Sequence, residues 1–442
     1  MPRQQDKFRR YALVLLVVGA VVRLLRTPSL HLFSYLPQND FSYSRTAQDL
    51  LRLNFHGLGD RVPVYPLLVA LCGLNPGVIW VAQSILGIAS SLMLFDMAFR
   101  RTRHGLFSFL VGLICGLIPE VVIFEAGIMT ESLTNFLLVA SLWFIARYDG
   151  AEEGNIRYPL ALGTIVALAG LTRPLMMCLV PVYFCFLVPL WPPTQTLRPE
   201  NIKKTIYYSL PVIVLILGWC GFNYFDHGYF TPTIRAGQQL MDQVDPYVEL
   251  APDRFAVLRD DWLKSRGQFS QDEDYPDSYL RKMERLTGKT EAQLCHEYAA
   301  LALYLEIHHP LLCFRRTEQG WMQFWGEPNG SEIEWPRDGK FRLKESVNAM
   351  DYFLIREIKA TFLILALISI PCALFRPTAF TKLEYLISAI ALWISIVAAF
   401  TEFGDNRRFC LPLYMAIFYS VLVRGWTWIT AIPSKRQGPT LG

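Results

Sequence analysis

Residues 78–99 read VIWVAQSILGIASSLMLFDMAF, an apolar run long enough to cross a bilayer as a single helix. Nine further runs share its character: Tyr11–Leu25, Leu106–Phe124, Ser132–Ala146, Tyr158–Leu171, Leu175–Trp191, Ile206–Phe222, Ile358–Phe375, Tyr385–Phe400 and Phe409–Val423. The apolar share of the chain, 52%, is little above that of soluble proteins. The distribution therefore decides the reading: an α-helical integral membrane protein of about ten transmembrane helices. Arg3, Lys7, Arg9 and Arg10 precede the first run, as in a secretory signal peptide. It is followed by Arg23 and Arg26 rather than by a small-residue cleavage site, which predicts a retained span.

Basic residues in short loops set the orientation. With the N-terminus inside, the inside loops carry Arg100, Arg101 and Arg103; Arg147 and Arg157; Arg198, Lys203 and Lys204; Arg376 and Lys382; and Arg424, Lys435 and Arg436. Both termini are then cytoplasmic. The short outside loops hold Arg26, Arg45, Arg52, Arg61, Arg173, Arg407 and Arg408, and no lysine. The net charge of +4 comes without a basic cluster interleaved with aromatics, so no nucleic acid is expected as a partner.

Three parts follow: residues 1–225, a membrane module whose first outer loop is 27–62; a large outer loop domain, 226–357; and C-terminal membrane helices, 358–442. In the first loop, Tyr43, Ala47, Leu50, Leu51 and Asn54 recur at helical spacing and predict an interfacial helix from Phe41 to about Asn54. In the large loop, Thr290 is placed to cap a helix running to His309, with Ala292, Cys295, Ala299, Ala302, Leu303 and Leu305 on its apolar side. Pro310 ends it. Leu311–Trp325 is aromatic but too charged to span and suits a helix lying at the interface. Cys295 and Cys313 flank one expected helix, whose ends are too far apart for a disulfide; the other seven of the nine cysteines read as small buried hydrophobes.

Asp40 is the first chemical candidate. A carboxylate at a membrane surface, beside arginines, can take the proton of an acceptor; it can equally cap the helix that follows. Asp49 and Asp60 share the loop. Glu120, Glu125 and Glu131 bracket the turn between two spans, where carboxylates are costly and are either paired or functional. Of these, Glu131 is the second catalytic candidate; its position at a helix start also suits the macrodipole. Arg173 in Leu171-Thr172-Arg173-Pro174, and Arg407 and Arg408 in Asp405-Asn406-Arg407-Arg408, lie at outer span ends. Their guanidiniums suit phosphate oxygens, and they suit salt bridges to Asp405, Glu402 or Glu131 as well. Arg61 and Tyr65 are further candidates. Asp272-Glu273-Asp274 lacks the α/β surroundings of a nucleotide-sugar metal site and reads as a solvated loop. His308-His309 have no partners at metal spacing. No metal ligands are assigned and no cofactor is indicated, although a divalent metal is compatible with the chemistry.

Taken in order, these segments resemble the integral-membrane GT-C glycosyltransferases, nearest the group of protein O-mannosyltransferases and the aminoarabinose transferases that modify lipid A. The resemblance rests on Asp40 to Leu51; Arg61-Val62-Pro63-Val64-Tyr65-Pro66-Leu67-Leu68; Met129-Thr130-Glu131-Ser132-Leu133; Leu171-Thr172-Arg173-Pro174; His309-Pro310 with Phe324-Trp325; and Arg408-Phe409 with Pro412. It covers almost the whole chain. It implies a polyprenyl-phosphate sugar donor, a lipid, glycan or protein acceptor on the outer face, an essential aspartate at Asp40, and donor-phosphate arginines at Arg173 and Arg408. It also implies a multi-pass protein of a bacterial plasma (inner) membrane. The family spacing to Tyr43 falls on Asn39, a one-residue slip that a loop absorbs. A transporter or flippase of a lipid-linked saccharide would need midplane charges and internal symmetry, and neither is evident. A surface-polysaccharide ligase or polymerase would share the lipid donor and transfer whole glycans.

Overall fold

In a computed structural model of the chain, the described residues are 2–26, 43–55, 58–148, 156–187, 199–265, 275–326, 342–401, 403–404 and 406–431. Among them the only regular elements are helices. α1 (Pro2–Arg26) is followed by α2 (Tyr43–Leu51) and α3 (Val64–Leu71). Next come α4 (Pro76–Thr102), α5 (Gly105–Gly116), α6 (Pro119–Phe124), α7 (Glu131–Tyr148), α8 (Arg157–Gly170) and α9 (Leu179–Leu187). α10 (Pro199–Val212) runs through a π turn into α11 (Gly218–His227). The loop segment holds α12 (Ala236–Val244), α13 (Ala256–Ser265), α14 (Tyr275–Thr287), α15 (Glu291–His308) and α16 (Pro310–Trp325). α17 (Arg342–Phe375), α18 (Lys382–Thr401), the short α19 (Asn406–Cys410) and α20 (Tyr414–Ala431) complete the chain.

Among the described residues, five stretches are long and apolar enough to cross a membrane: Pro76–Thr102, Asn201–His227, Tyr352–Phe375, Lys382–Thr401 and Asn406–Ala431. Large apolar side chains, including Leu13, Ile85, Ile206, Ile364 and Phe375, point outward from these helices and from α1. A belt of that kind is stable against lipid, and the chain is an α-helical membrane protein. The run expected over Leu106–Phe124 is not one helix. α5 ends at Gly116, and the chain re-enters helix only at Pro119, whose ring clashes with a preceding helical turn.

Local chemistry sets the helix ends. The Asn75 side chain accepts from the amides of Gly77 and Val78 at 2.9 and 3.2 Å, and Pro76 takes the first helical position of α4. α2 starts at Tyr43 and buries Tyr43, Thr46 and Ala47; Phe41 and Ser42 lie outside the described residues. Thr290 caps α15 through a full capping box with Gln293. The buried side of α15 is Leu294, Tyr298, Leu301 and Leu305 together with Ala292, Cys295 and Ala302, while Leu303, expected inside, is exposed. These residues join Met241, Val244, Trp262, Tyr279 and Met283 in a core separate from that of the membrane bundle. Cys295 and Cys313 are both buried free thiols.

One buried ion pair fixes α1 in the bundle. Arg23 Nε and Nη2 donate to the two carboxylate oxygens of Glu125 at 2.6 and 2.5 Å, with both residues almost fully buried. Gly87 leaves the room: a Cβ there would come within 1.9 Å of Glu125 Oε1 and 2.6 Å of Arg23 Nη2. Glu125→Leu is therefore expected to cost about 3–5 kcal/mol, because it strands a buried guanidinium. Arg23→Met/Glu125→Leu removes both charges and should be closer to wild type. Thermal unfolding of the purified proteins in detergent checks the order.

Candidate functional site

α7 begins at Thr130-Glu131-Ser132, all buried. Glu131 is 2% exposed, and its Oε1 accepts from two guanidiniums: Arg173 Nη1 at 3.2 Å, and Arg408 Nε in a shorter contact. Oε2 has no hydrogen-bond partner among the described residues. The guanidinium of Arg173 also lies over the Phe409 ring, 4.5 Å from its centroid. Three of the residues singled out in the sequence thus meet at one oxygen, brought from α7, from the turn after α8 and from α19. Two guanidiniums against one buried carboxylate favour its ionised form. A guanidinium has five N–H donors, so an ion pair to one carboxylate oxygen does not exhaust it.

The neighbouring arginine, Arg407, is half-buried and makes no ion pair among the described residues. The choice between Arg407 and Arg408 goes to Arg408 for contact with Glu131. Asp40 lies outside the described residues, as do Glu402, Asp405 and the Asp272-Glu273-Asp274 run.

Arg61 and Tyr65 belong to the scaffold next to this site. Arg61 stands over the Tyr43 ring at 5.1 Å, and Tyr43 meets Tyr65 edge-on at 4.9 Å. The Tyr65 hydroxyl donates to Gln83 Oε1 at 3.0 Å. Gln83 Nε2 in turn donates to the carbonyls of Glu125 and Gly127, at 2.9 and 2.7 Å. This chain of contacts fixes the turn that delivers Glu131. A second tie runs from the Val64 amide to the Leu171 carbonyl, at 3.0 Å, beside the Thr172-Arg173 turn. Gln83 went unremarked in the sequence. Its signal is a polar amide inside the apolar 78–99 run, where such a group must find partners.

Glu120 and Glu125 do not join the arginine pair. Glu125 is taken by Arg23, and Glu120, buried at the start of α6, faces the Tyr414 hydroxyl. Further along, α17 turns Ile355, Lys359, Phe362 and Ala366 inward, so a fully buried ammonium lies on an apolar face. Among the described residues no group of three or more His, Cys, Asp or Glu side chains is placed to hold a metal ion.

No protein-family model matches the chain, and no curated protein matches it by sequence. The resemblance seen in the sequence is supported at the level of the fold alone, by a likeness to one solved membrane glycosyltransferase. The likeness is to the archaeal oligosaccharyltransferase AglB from Archaeoglobus fulgidus, solved in complex with an inhibitory peptide and a dolichol-phosphate. It has a TM-score of 0.50 at 12% identity, over 96% of this chain and 51% of that one. The chain spans about half the length of that structure.

The shared oxygen makes the three side chains one unit. Glu131→Gln should lower stability by about 3–5 kcal/mol by leaving two guanidiniums without their anion. Arg408→Gln should then cost less in the Glu131→Gln background than in wild type, with a coupling of about 0.5–3 kcal/mol. Thermal unfolding of the four proteins of the cycle measures it, and simple additivity would mean that the contact carries no energy.

Proposed function

We propose that the protein transfers a sugar from a polyprenyl-phosphate donor to a lipid, glycan or protein acceptor at the outer face of the membrane. The observation that carries this reading is the meeting of Arg173 and Arg408 on Glu131 Oε1. The fold agrees with it, since AglB was captured with a dolichol-phosphate.

In this reading the chain has ten spans, both termini cytoplasmic and the 226–357 segment outside, in a bacterial plasma membrane. Sugar transfer from a lipid phosphate needs cations for the departing phosphate and a base for the acceptor. The guanidiniums supply the first. Glu131 is the internal anion that keeps the two guanidiniums together and desolvated before the donor arrives. Held by two cations, Glu131 is a poor proton acceptor, and the base is assigned to Asp40 in the first outer loop. Tyr65 and Arg61 act as supports for the turn that positions Glu131.

The test is donor kinetics in proteoliposomes. Arg173→Ala should weaken donor binding by about ten- to a hundredfold, the loss of one charge-assisted contact. Asp40→Asn keeps the shape and the capping ability of the side chain but not its basicity. It should slow turnover by about a hundred- to ten-thousandfold, while Asp49→Asn stays near wild type. An unchanged Michaelis constant in Arg173→Ala would remove the phosphate contact. Near-full turnover in Asp40→Asn would move the base to another residue.

A further inference from the structure

Among the described residues, those other than glycine that take positive φ are Leu53 at 55°, Leu74 at 59° and Arg103 at 57°. That left-handed region is unfavourable for a residue with a Cβ, and glycine is its usual occupant at the end of a helix. Leu53 closes α2: its amide donates to the Leu50 carbonyl at 3.1 Å, and the next amide, of Asn54, donates to the Asp49 carbonyl at 2.9 Å. Leu74 has the same part after α3, its amide donating to the Val69 carbonyl at 3.2 Å.

The two leucines differ in what offsets the strain. Leu74 is partly buried and packs against the core of the membrane bundle. Leu53 is 74% exposed, so its side chain gains little from packing within the protein. Leu51 and Phe55 beside it are exposed as well, and α3 turns Leu67 and Leu71 outward. α3 packs on α2 through Tyr65 and Tyr43, and it is joined by Gly73-Leu74-Asn75 to α4, a stretch apolar enough to span, whose outward residues begin with Val78, Val81 and Ile85. The exposed apolar edge of the α2–α3 pair is thus continuous along the chain with the lipid-facing surface of the bundle. Arg45 and Arg52 are exposed on α2 and just after it, where cations suit lipid phosphates above an apolar edge. Strain kept in an exposed leucine, at the rim of a lipid-facing surface, points to a partner outside the protein.

We propose that Leu51, Leu53 and Phe55 form a wedge that enters the acyl region of the lipid leaflet at the Glu131 end of the bundle, with the left-handed turn directing Leu53 into the lipid. The sequence periodicity put the membrane contact on the helix itself; the wedge lies in the segment that ends it. The wedge also sets the height of the site. Tyr43 of α2 meets Tyr65, Tyr65 holds Gln83, and Gln83 holds the turn before Glu131. The leaflet that seats the wedge therefore fixes the level at which Arg173 and Arg408 meet Glu131.

The test uses the full chain in nanodiscs of phosphatidylethanolamine and phosphatidylglycerol. A diazirine-bearing leucine analogue replaces Leu53 in one protein and, in another, Leu286, which is exposed on α14 of the loop segment. After illumination, mass spectrometry is expected to find lipid adducts prevailing at position 53 and water adducts at position 286. Water adducts prevailing at 53, cross-links from 53 to a second copy of the chain, or lipid adducts as frequent at 286 as at 53 overturn the proposal. A second measurement separates a lipid contact from a turn that is merely strained. Leu53→Gly removes the side chain and the strain together, so a purely local turn would hold its amides at 52–55 more firmly. Loss of a lipid anchor should instead make those amides exchange several-fold faster with deuterated water in the same nanodiscs. Slower or unchanged exchange in Leu53→Gly overturns the proposal.

Discussion

Two guanidiniums meeting one carboxylate oxygen inside a membrane protein are a demanding arrangement. The charges must be withdrawn from water, and the cost is recovered only when the geometry is held from several directions. Here Glu131 is fixed by the turn that Gln83 and Tyr65 hold, Arg173 by the turn tied to the first loop at Val64, and Arg408 by α19. Neighbouring parts of α4, α7, α19 and the turns before α3 and after α8 are thus bound together around one polar contact. Elsewhere their apolar surfaces have little orientational preference against lipid. Without a strong hydrophobic drive inside the bilayer, such contacts and close packing set how helices assemble.

Close packing does the rest. Gly163 in α8 lets the backbone of α10 approach so near that a Cβ would come within 2.1 Å of the Tyr208 carbonyl oxygen. In the loop segment Gly237 brings α12 against α15, where a Cβ would come within 1.7 Å of the Cys295 carbonyl oxygen. The loop segment has its own core, and α16 carries it back to the bundle. Arg316 covers the Phe403 ring there, and Gly320 sits 3.0 Å, measured from a built Cβ, from Asn406 Nδ2. Asn406 opens the helix that presents Arg408. The loop segment is therefore mechanically continuous with the arginine site.

The membrane class was legible in the sequence because apolar length is a strong, local signal. The grouping of Glu131 with Arg173 and Arg408 could only be suspected. Arg408 and Glu131 are 277 positions apart, and no local pattern says that Arg408 rather than Arg407 turns toward the carboxylate. On a helix, adjacent residues point about 100° apart, so the neighbour is directed elsewhere. On α15 Ala292, Cys295, Ala302 and Leu305 are buried as expected, while Leu303 is exposed for a related reason. Ala299 and Leu303 fit one helical stripe, while Leu294, Tyr298, Leu301 and Leu305 fit a second, and only the core packed against α15 selects between them. The break at Pro119 was visible as a residue but not as a boundary, since apolar sequence continues on both sides of it. Lys359 was hidden in plain text: it follows Ile355 and precedes Phe362 at helical spacing, a charge inside a stripe of core residues.

α17 runs unbroken from Arg342 to Phe375, about 50 Å at 1.5 Å per residue, and joins the loop segment to a membrane span as one rod. A rod of that kind transmits phase. One residue inserted between Tyr352 and Ile355 would turn everything on its N-terminal side by about 100° relative to Lys359, while seven would nearly restore the register. Length changes in this helix that keep the register are thus confined to those near whole helical turns. The spacing from the outer segment to the buried lysine is a ruler that any graft onto this scaffold has to obey.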